Sequence, residues 1–185
     1  MAKLTMASIA ILLLTITLIG CSSTPHAVPS GSTQEPLVVF LVRHGEKTDL
    51  SEDPELSAAG RERAVTLAST LRSSEIEYVH SSDYIRTRRT AAPTAAKHGL
   101  EVELYDPDDL FGLVEKLRRT GGRHLVVGHS TTTPSVVELL GGKPDSAINE
   151  AGEFDRLYIV AISRDGAASS VMMRYGEPYH PSEDE

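Results

Sequence analysis

The chain of 185 residues contains one cysteine and no tryptophan, and it has fewer basic than acidic side chains. A single cysteine cannot form a disulfide within the chain, which excludes the disulfide-rich class of small secreted domains. Lys and Arg number 18 against 26 Asp and Glu, so the formal net charge is −8. Because nucleic-acid binding needs a basic face, this balance argues against a nucleic-acid partner. The composition, 40% hydrophobic and 24% charged, is that of a globular protein.

The longest apolar run lies near the start of the chain, from Ala7 to Ile19, and follows the basic side chain of Lys3. It is shorter than the roughly 18 to 20 residues that a membrane-spanning helix needs, and it is typical of the hydrophobic region of a secretory signal. The run ends in Leu18-Ile19-Gly20-Cys21, which resembles the lipobox of bacterial lipoproteins. The resemblance implies a signal peptide over residues 1–20 and a lipid, such as palmitate, on the sulfur of Cys21.

A lipid on Cys21 would anchor an exported protein to the membrane of the bacterial envelope, the outer membrane if the host is Gram-negative. The alternative is an uncleaved anchor with a buried thiol. Residues 22–36 are rich in Ser, Thr, Pro and Gly, so residues 21–36 are predicted to form a flexible tether. The polar, acidic residues 177–185 are predicted to form a loose tail.

Between these segments, residues 37–176 alternate apolar runs with helical patterns, which is typical of an α/β domain. The continuous apolar run over residues 37–42 predicts a strand buried on both faces of a parallel sheet. We predict a three-layer α/β/α domain with a mainly parallel central sheet and a C-terminal edge hairpin. The predicted elements are further strands over 77–80, 102–105 and 125–127, a helix capped by Ser57, helices over 84–98, 110–119 and 133–140, and a hairpin of residues 156–163 and 169–175.

Basic side chains follow several of the predicted strands directly. Arg43 and His44 come after the first strand, Arg86 follows a short later strand, and His129 follows the strand over residues 125–127. Ligands of such sheets bind at the carboxyl ends of the strands, so these four side chains are expected to converge. Guanidinium groups match phosphoryl oxygens in a bidentate manner, and a helix N-terminus adds backbone donors. The pattern therefore predicts a phosphate site.

At these positions the sequence resembles the histidine phosphatase superfamily, which has the phosphoglycerate-mutase-like fold. The resemblance rests on four motifs in order: RHGEK after the first strand, LSAAG before the first helix, SSDYIRTRRTA, and VVGHS. It implies a phosphatase, and hence a hydrolase, in which His44 is the nucleophile and forms a phosphohistidine. Arg43, Arg86 and His129 would surround the phosphoryl group and bind the substrate. Two arginines and a protonated His129 would supply enough positive charge that neither a metal nor another cofactor is implied.

The general acid that protonates the leaving group is less well defined by the resemblance. Family members commonly use Glu or Asp for this role. Of the acidic residues that follow Arg86 along the chain, we favour Asp106 or Asp108 as the catalytic general acid. Both could instead form a turn that caps the next helix. Glu46 follows the RHG tripeptide directly, and we expect it to contribute to substrate binding. Expected substrates are a phosphorylated small molecule or a phosphoprotein, and the protein is expected to be a monomer.

Three other functions fit parts of the sequence. Gly128-His129-Ser130-Thr131-Thr132 nearly matches the nucleophile elbow of serine hydrolases, with Ser130 as nucleophile and His180 as the downstream base, but Thr132 replaces the final glycine. A metal hydrolase built on His44 and His129 has no third ligand at a convincing spacing, and Arg43 would repel the cation. The third alternative is a lipoprotein that binds a phospholigand without turning it over.

Overall fold

The computed structural model describes residues 36–181, which form six strands and four helices. The predicted signal peptide, Cys21, the tether before residue 36 and the last four residues of the predicted tail lie outside the described residues. In chain order the elements are β1 (Leu37–Arg43), α1 (Ala58–Thr70), β2 (Tyr78–Ser82), α2 (Ile85–His98), β3 (Val102–Tyr105), α3 (Leu110–Thr120), β4 (Gly122–Gly128), α4 (Thr132–Leu139), β5 (Arg156–Ile162) and β6 (Ala168–Arg174).

The strands form one mixed sheet in the order β3-β2-β4-β1-β5-β6. β3, β2, β4 and β1 run parallel to one another, whereas β5 is antiparallel to β1 and pairs with β6 in an antiparallel hairpin. The predicted α/β architecture with a mainly parallel sheet and a C-terminal edge hairpin is therefore confirmed. The carboxyl ends of β1, β2, β3 and β4 meet at one edge of the sheet, where the predicted site residues lie.

Helices cover both faces of the sheet because side chains alternate between the faces of each central strand. On one face, Leu41 of β1 and Val126 of β4 pack with buried residues of α3 and α4. On the other face, Val42 of β1 and Leu125 of β4 pack with buried residues of α1 and α2. Both faces of β1 are thus buried, which explains its continuous apolar sequence.

Local signals in the sequence define several of the helix ends. Ser57 caps α1 as predicted, and its hydroxyl accepts a hydrogen bond of 3.1 Å from the backbone N–H of Gly60. Gly99 follows α2 with φ of 68°, a left-handed conformation that glycine adopts without a steric penalty. Within residues 36–181, no helix combines the length and the apolarity that crossing a membrane requires.

Two buried histidines link β2 and β4 below the edge that carries the site. His80 Nε2 lies 2.9 Å from His124 Nδ1, and His124 Nε2 lies 2.7 Å from the carbonyl oxygen of Gly121. Because a carbonyl oxygen only accepts, the Nε2–H of His124 donates to Gly121. The Nδ1 of His124 therefore accepts a hydrogen bond from the Nε2–H of His80. Burial, together with the neighbouring His124, lowers the pKa of His80 to about 4. The pair is therefore neutral at pH 7 and belongs to the core.

The described part of the predicted tail is held more firmly than a loose segment. The carbonyl oxygen of Glu177 accepts a hydrogen bond of 2.9 Å from Arg63 Nη2, and the backbone N–H of Tyr179 donates to Asp155 Oδ2 at 2.9 Å. Both partners are buried. The composition of the tail did not reveal these acceptors and donors because they involve its backbone.

Candidate active site

The sheet register brings His44 and His129 together. Arg43 and Gly128 are partners in the parallel pairing of β1 with β4, and each is followed by one of the two histidines. The backbone N–H of His44 donates to the carbonyl oxygen of Gly128 at 2.9 Å. The two ring centroids lie 5.5 Å apart at an interplanar angle of 69°. Neighbouring strands are separated by about 4.8 Å, so the distance between the rings is determined by the sheet itself.

The hydrogen bond of the His44 ring determines which of its nitrogens is free. Nδ1 lies 2.8 Å from the carbonyl oxygen of Gly45 and must donate to it, which leaves the lone pair on Nε2 in the neutral ring. The side chain is 2% exposed. Burial lowers the pKa of His44 to about 3, and the charges of Arg43 and Arg86 add to this effect. His44 is therefore a neutral imidazole at pH 7, the form that can attack an electrophile.

His129 is also neutral at pH 7. Its Nε2 lies 2.9 Å from the hydroxyl oxygen of Ser82, and the edge of its ring meets the ring of Tyr84. Burial, together with the charges of Arg86 and Arg43, lowers the pKa of His129 to about 4. The protonated His129 that the resemblance implied is thus not supported, because two nearby guanidinium groups disfavour a third positive charge. The positive charge of the site comes from the arginines.

Arg43 is buried beneath a loop that connects α4 to β5. Its Nη1 donates to the carbonyl oxygens of Asn149 at 3.0 Å and Glu153 at 3.1 Å, and its Nη2 donates to the carbonyl oxygen of Glu150 at 2.8 Å. The guanidinium carbon also lies 4.1 Å from the centroid of the Phe154 ring. These contacts use the Nη atoms, whereas the Nε–H of Arg43 is buried and has no partner among residues 36–181.

Arg86 stands at the start of α2, on the other side of the histidines. Its Nη1 lies 3.2 Å from the carbonyl oxygen of Glu52 and 3.4 Å from Asp53 Oδ1, and its guanidinium carbon lies 4.4 Å from the centroid of the Tyr84 ring. Asp53 also accepts a hydrogen bond from the backbone N–H of Ile85, so it holds the start of the helix. As in Arg43, the Nε–H of Arg86 is buried without a partner in the described part of the chain. Each arginine therefore retains one free donor.

Two glycines allow the loop that follows His44 to pack against α1. A Cβ atom on Gly45 would lie 2.8 Å from the carbonyl oxygen of Gly60, and a Cβ atom on Gly60 would lie 2.2 Å from that of Glu46. The backbone N–H of Gly45 donates to the hydroxyl of Thr90 on α2 at 2.9 Å. The RHG and LSAAG motifs thus form one packing unit, since neither glycine has room for a side chain.

Glu46 has a different partner from the one that we predicted. Its carboxylate binds the guanidinium group of Arg63, with Nε–Oε1 and Nη2–Oε1 distances of 2.9 and 2.7 Å. Arg63 is buried and also donates to the carbonyl oxygens of Tyr175 and Glu177 at 2.9 Å. The carboxylate of Glu46 is engaged in this ion pair. The geometry therefore supports a role in holding the loop that follows His44 rather than in binding substrate.

Asp106 and Asp108 lie in the turn between β3 and α3. Asp106 Oδ1 accepts a hydrogen bond of 2.9 Å from the backbone N–H of Asp108, and Asp109 caps α3 through the N–H of Gly112 at 2.9 Å. β3 is separated from β1 by two intervening strands, which corresponds to about 14 Å. The structure does not bring these carboxylates to His44, and their contacts are those of the turn-forming alternative.

A carboxylate that the sequence did not single out, Glu150, contacts the site directly. Its Oε2 lies 2.9 Å from Arg43 Nη2, its Oε1 lies 3.4 Å from Lys47 Nζ, and it accepts a hydrogen bond from the hydroxyl of Ser130. Partial burial favours the neutral form, but the Ser130 hydrogen bond and the charges of Arg43 and Lys47 lower the pKa of Glu150. Because Ser130 donates to a carboxylate rather than to an imidazole, this geometry does not support a serine nucleophile.

The described residues also bear on metal binding. Within residues 36–181, no group of three or more His, Cys, Asp and Glu side chains is arranged to hold a metal ion. His44 and His129 are accompanied instead by Arg43 and Arg86, whose charge suits an anion. The arrangement can thus surround a phosphoryl group with two guanidinium donors and place a neutral imidazole beside it.

Comparisons with known proteins agree with this geometry. Residues 39–107 match the sequence model of the histidine phosphatase superfamily (branch 1). A search of curated proteins finds no match. Among solved structures, the protein histidine phosphatase SixA complexed with tungstate is 20% identical, with a TM-score of 0.59, and the match covers 75% of this chain and 97% of that one.

Two further similar structures are phosphatases with other substrates. A mycobacterial glucosyl-3-phosphoglycerate phosphatase is 16% identical, with a TM-score of 0.56 and coverage of 76% of this chain and 99% of that one. A phosphoserine phosphatase from Entamoeba histolytica, in complex with 3-phosphoglyceric acid, is 16% identical, with a TM-score of 0.56 and coverage of 76% and 97%. The sequence match over residues 39–107, the sheet order and the pairing of His44 with His129 together support assignment of the chain to the histidine phosphatase superfamily.

Proposed function

We propose that this protein is a phosphomonoester hydrolase that acts through a phosphohistidine on His44 and needs no metal. The observation that carries the proposal is a neutral imidazole with its Nε2 lone pair free, beside two arginines that each keep one buried, unpartnered Nε–H. Phosphoryl oxygens are the natural acceptors for two such donors. A histidine with a purely structural role would not require two arginine side chains beside its ring.

The reaction balances in two steps. In the first, the Nε2 lone pair of His44 attacks phosphorus, a P–N bond forms, and the bond from phosphorus to the leaving oxygen breaks. In the second, water attacks phosphorus, the P–N bond breaks, and inorganic phosphate leaves with His44 restored. Arg43 and Arg86 stabilise the charge of the equatorial oxygens in both transition states.

The leaving oxygen must acquire a proton, and the state of Glu150 limits which substrates suit the site. Its pKa is lowered by the Ser130 hydrogen bond and by Arg43 and Lys47, despite partial burial, so it is ionised at pH 7 and holds no proton to give. Leaving groups of low basicity depend least on a general acid, and they include phenols and the imidazole of a phosphohistidine whose other ring nitrogen is already protonated. Protein phosphohistidine is therefore a candidate substrate beside the phosphate esters of phenols. The similar structure SixA is described as a protein histidine phosphatase.

The competing proposal is a protein that binds a phospholigand without turnover, since both arginines would serve that function equally well. Turnover of an aryl phosphate by purified protein decides between the two, together with trapping of an acid-labile, alkali-stable phosphoenzyme. We expect both signals to disappear in His44→Ala and to persist in His180→Ala, which removes an exposed histidine. Vanadate binding without turnover would support the binding protein, and esterase activity lost in Ser130→Ala would support a serine hydrolase.

We further propose that Cys21 carries a lipid that attaches the domain to the bacterial envelope. Support comes from the Leu-Ile-Gly-Cys sequence after a short apolar run and from the absence of any other cysteine in the chain. Metabolic labelling with an alkyne-bearing palmitate, followed by membrane fractionation, tests this proposal. We expect label and membrane association to be lost in Cys21→Ser, whereas unlabelled wild-type protein would contradict it.

A further inference from the structure

An apolar groove begins at the catalytic edge and leads away from it beside α4. Pro134, Ala147 and Ile148 line its walls, and His129 and Glu150 stand at its inner end. The groove encloses about 680 Å³. The reaction described above uses only the inner end, where phosphorus would lie beside His129. The outer part is continuous with the site but has no role in moving the phosphoryl group.

The groove has a definite chemical character. Its apolar walls are formed by one proline, one alanine and one isoleucine, Ser130 and Thr131 add uncharged polar groups, and none of the described residues that line it is a lysine or an arginine. His129 is neutral at pH 7. Glu150 is ionised and already occupied by Arg43 and Lys47. The groove therefore offers apolar contact to a ligand and provides no cation for a second anionic group.

We propose that this groove binds the leaving group of the substrate and selects esters of uncharged aromatic alcohols, such as phenols, over esters that carry a carboxylate or a second phosphate. The inference rests on the proposed function, because it assumes that a phosphoryl group lies between His44 and His129. The continuity of the groove with that site favours the leaving group as its occupant. An alcohol attached to phosphorus at the inner end must extend into the adjacent space, and the apolar walls match a hydrocarbon group.

Binding to the catalytically inactive His44→Ala variant tests the groove without depending on turnover. Calorimetry with phenyl phosphate, 2-naphthyl phosphate and 4-carboxyphenyl phosphate compares ligands that share the phosphoryl group. We expect 2-naphthyl phosphate to bind about tenfold more tightly than phenyl phosphate, because its second ring adds roughly 50 Å² of buried apolar surface. We expect 4-carboxyphenyl phosphate to bind more weakly than phenyl phosphate.

A charge placed on the groove wall provides the matched variants. Ala147 is exposed, so Ala147→Lys and Ala147→Asp change the groove without filling the core. In the His44→Ala background, Ala147→Lys should raise the affinity for 4-carboxyphenyl phosphate relative to phenyl phosphate by about threefold to fivefold. Ala147→Asp should lower the same ratio. Ala167→Lys, an exposed position in the β5–β6 turn at the opposite edge of the sheet, should leave the ratio unchanged.

The possible outcomes separate this proposal from the proposed function. Equal affinities for the three ligands, or a ratio unaffected by Ala147→Lys, would overturn the groove proposal, while His44-dependent turnover of phenyl phosphate would leave the phosphatase standing. Ligand discrimination without any turnover by the wild-type protein would support the groove and refute the phosphatase. A dimer in sedimentation that Ala147→Asp dissociates would assign the groove to a second copy of the chain and overturn the proposal.

Discussion

Lowering the pH should leave the proposed nucleophile, His44, neutral far below the range in which an ordinary histidine becomes protonated. Burial lowers the pKa of His44 to about 3, against a usual value of 6.5, because a charged ring would lose its water and face Arg43 and Arg86. At pH 5 an imidazole with the usual pKa would be about 3% neutral, whereas His44 would be about 99% neutral. The fraction of neutral imidazole therefore differs about thirtyfold between the two cases.

Two measurements on the free enzyme detect this difference. Nitrogen chemical shifts of the His44 ring, followed by NMR from pH 8 to pH 3.5, should show no titration above pH 5. The value of kcat/KM for an aryl phosphate, expressed per substrate dianion, should remain within about twofold between pH 7 and pH 5, because kcat/KM reports the ionisation of free enzyme. It should fall only as the pH approaches about 3, where His44 gains a proton and loses its nucleophilic lone pair.

A His44 titration midpoint near 6.5 would refute this reasoning, and so would a thirtyfold loss of kcat/KM per dianion between pH 7 and pH 5. Either result would mean that the burial of His44 is offset in solution, for instance by an opening of the loop that covers Arg43. The nucleophile would then have to be protected from protonation by the bound substrate rather than by the fold.

Three further predictions concern residues around the site and the core beneath it. Gly45→Ala should lower the free energy of unfolding by about 2 kcal/mol, because its Cβ would lie 2.8 Å from the carbonyl oxygen of Gly60, and should reduce kcat/KM at least tenfold; a melting temperature equal to wild type would contradict this. Arg43→Lys should weaken phosphate binding in calorimetry about 100-fold, since one ammonium cannot replace the guanidinium bonds to three loop carbonyls, and unchanged affinity would remove Arg43 from the site. Burial lowers the pKa of His80 to about 4, so the unfolded chain binds a proton that the native state does not, and stability falls as pH drops from 6.5 to 4. His80→Gln should remove about 3 kcal/mol of that loss in urea unfolding, whereas His180→Gln should follow the wild-type curve.

The sequence predicted the parts of the site that depend on strand ends. Arg43-His44 and His129 each follow a continuous apolar run. Parallel strands bring their carboxyl ends to one edge of the sheet, independently of the sequences of the connecting loops. The register of β1 with β4 then determines that the two rings are neighbours. Arg86 followed from the same logic, because it lies in the first turn of the helix after β2. These inferences needed only short-range patterns and the rules of sheet topology.

The remainder of the site depends on contacts that no local pattern encodes. Glu150 reaches Arg43 across more than one hundred intervening residues, and its loop has neither helical nor strand periodicity. Glu46 was expected to bind substrate because it follows the RHG tripeptide directly, and its pairing with Arg63, 17 residues later, could not be read from that position. The neutrality of His129 depends on the distances to both arginines, which the order of residues along the chain does not give.

The ion pair of Arg63 with Glu46 also connects the two distant ends of the domain. The same guanidinium group that binds Glu46, two residues after the nucleophile, donates to the backbone of Tyr175 and Glu177. Proteolysis upstream of Tyr175 would deprive a buried cation of two acceptors, at a cost of about 1–3 kcal/mol for each unsatisfied group. Proteolytic cleavage near the carboxyl terminus would therefore disturb the loop that carries His44. Affinity tags should be placed after residue 177.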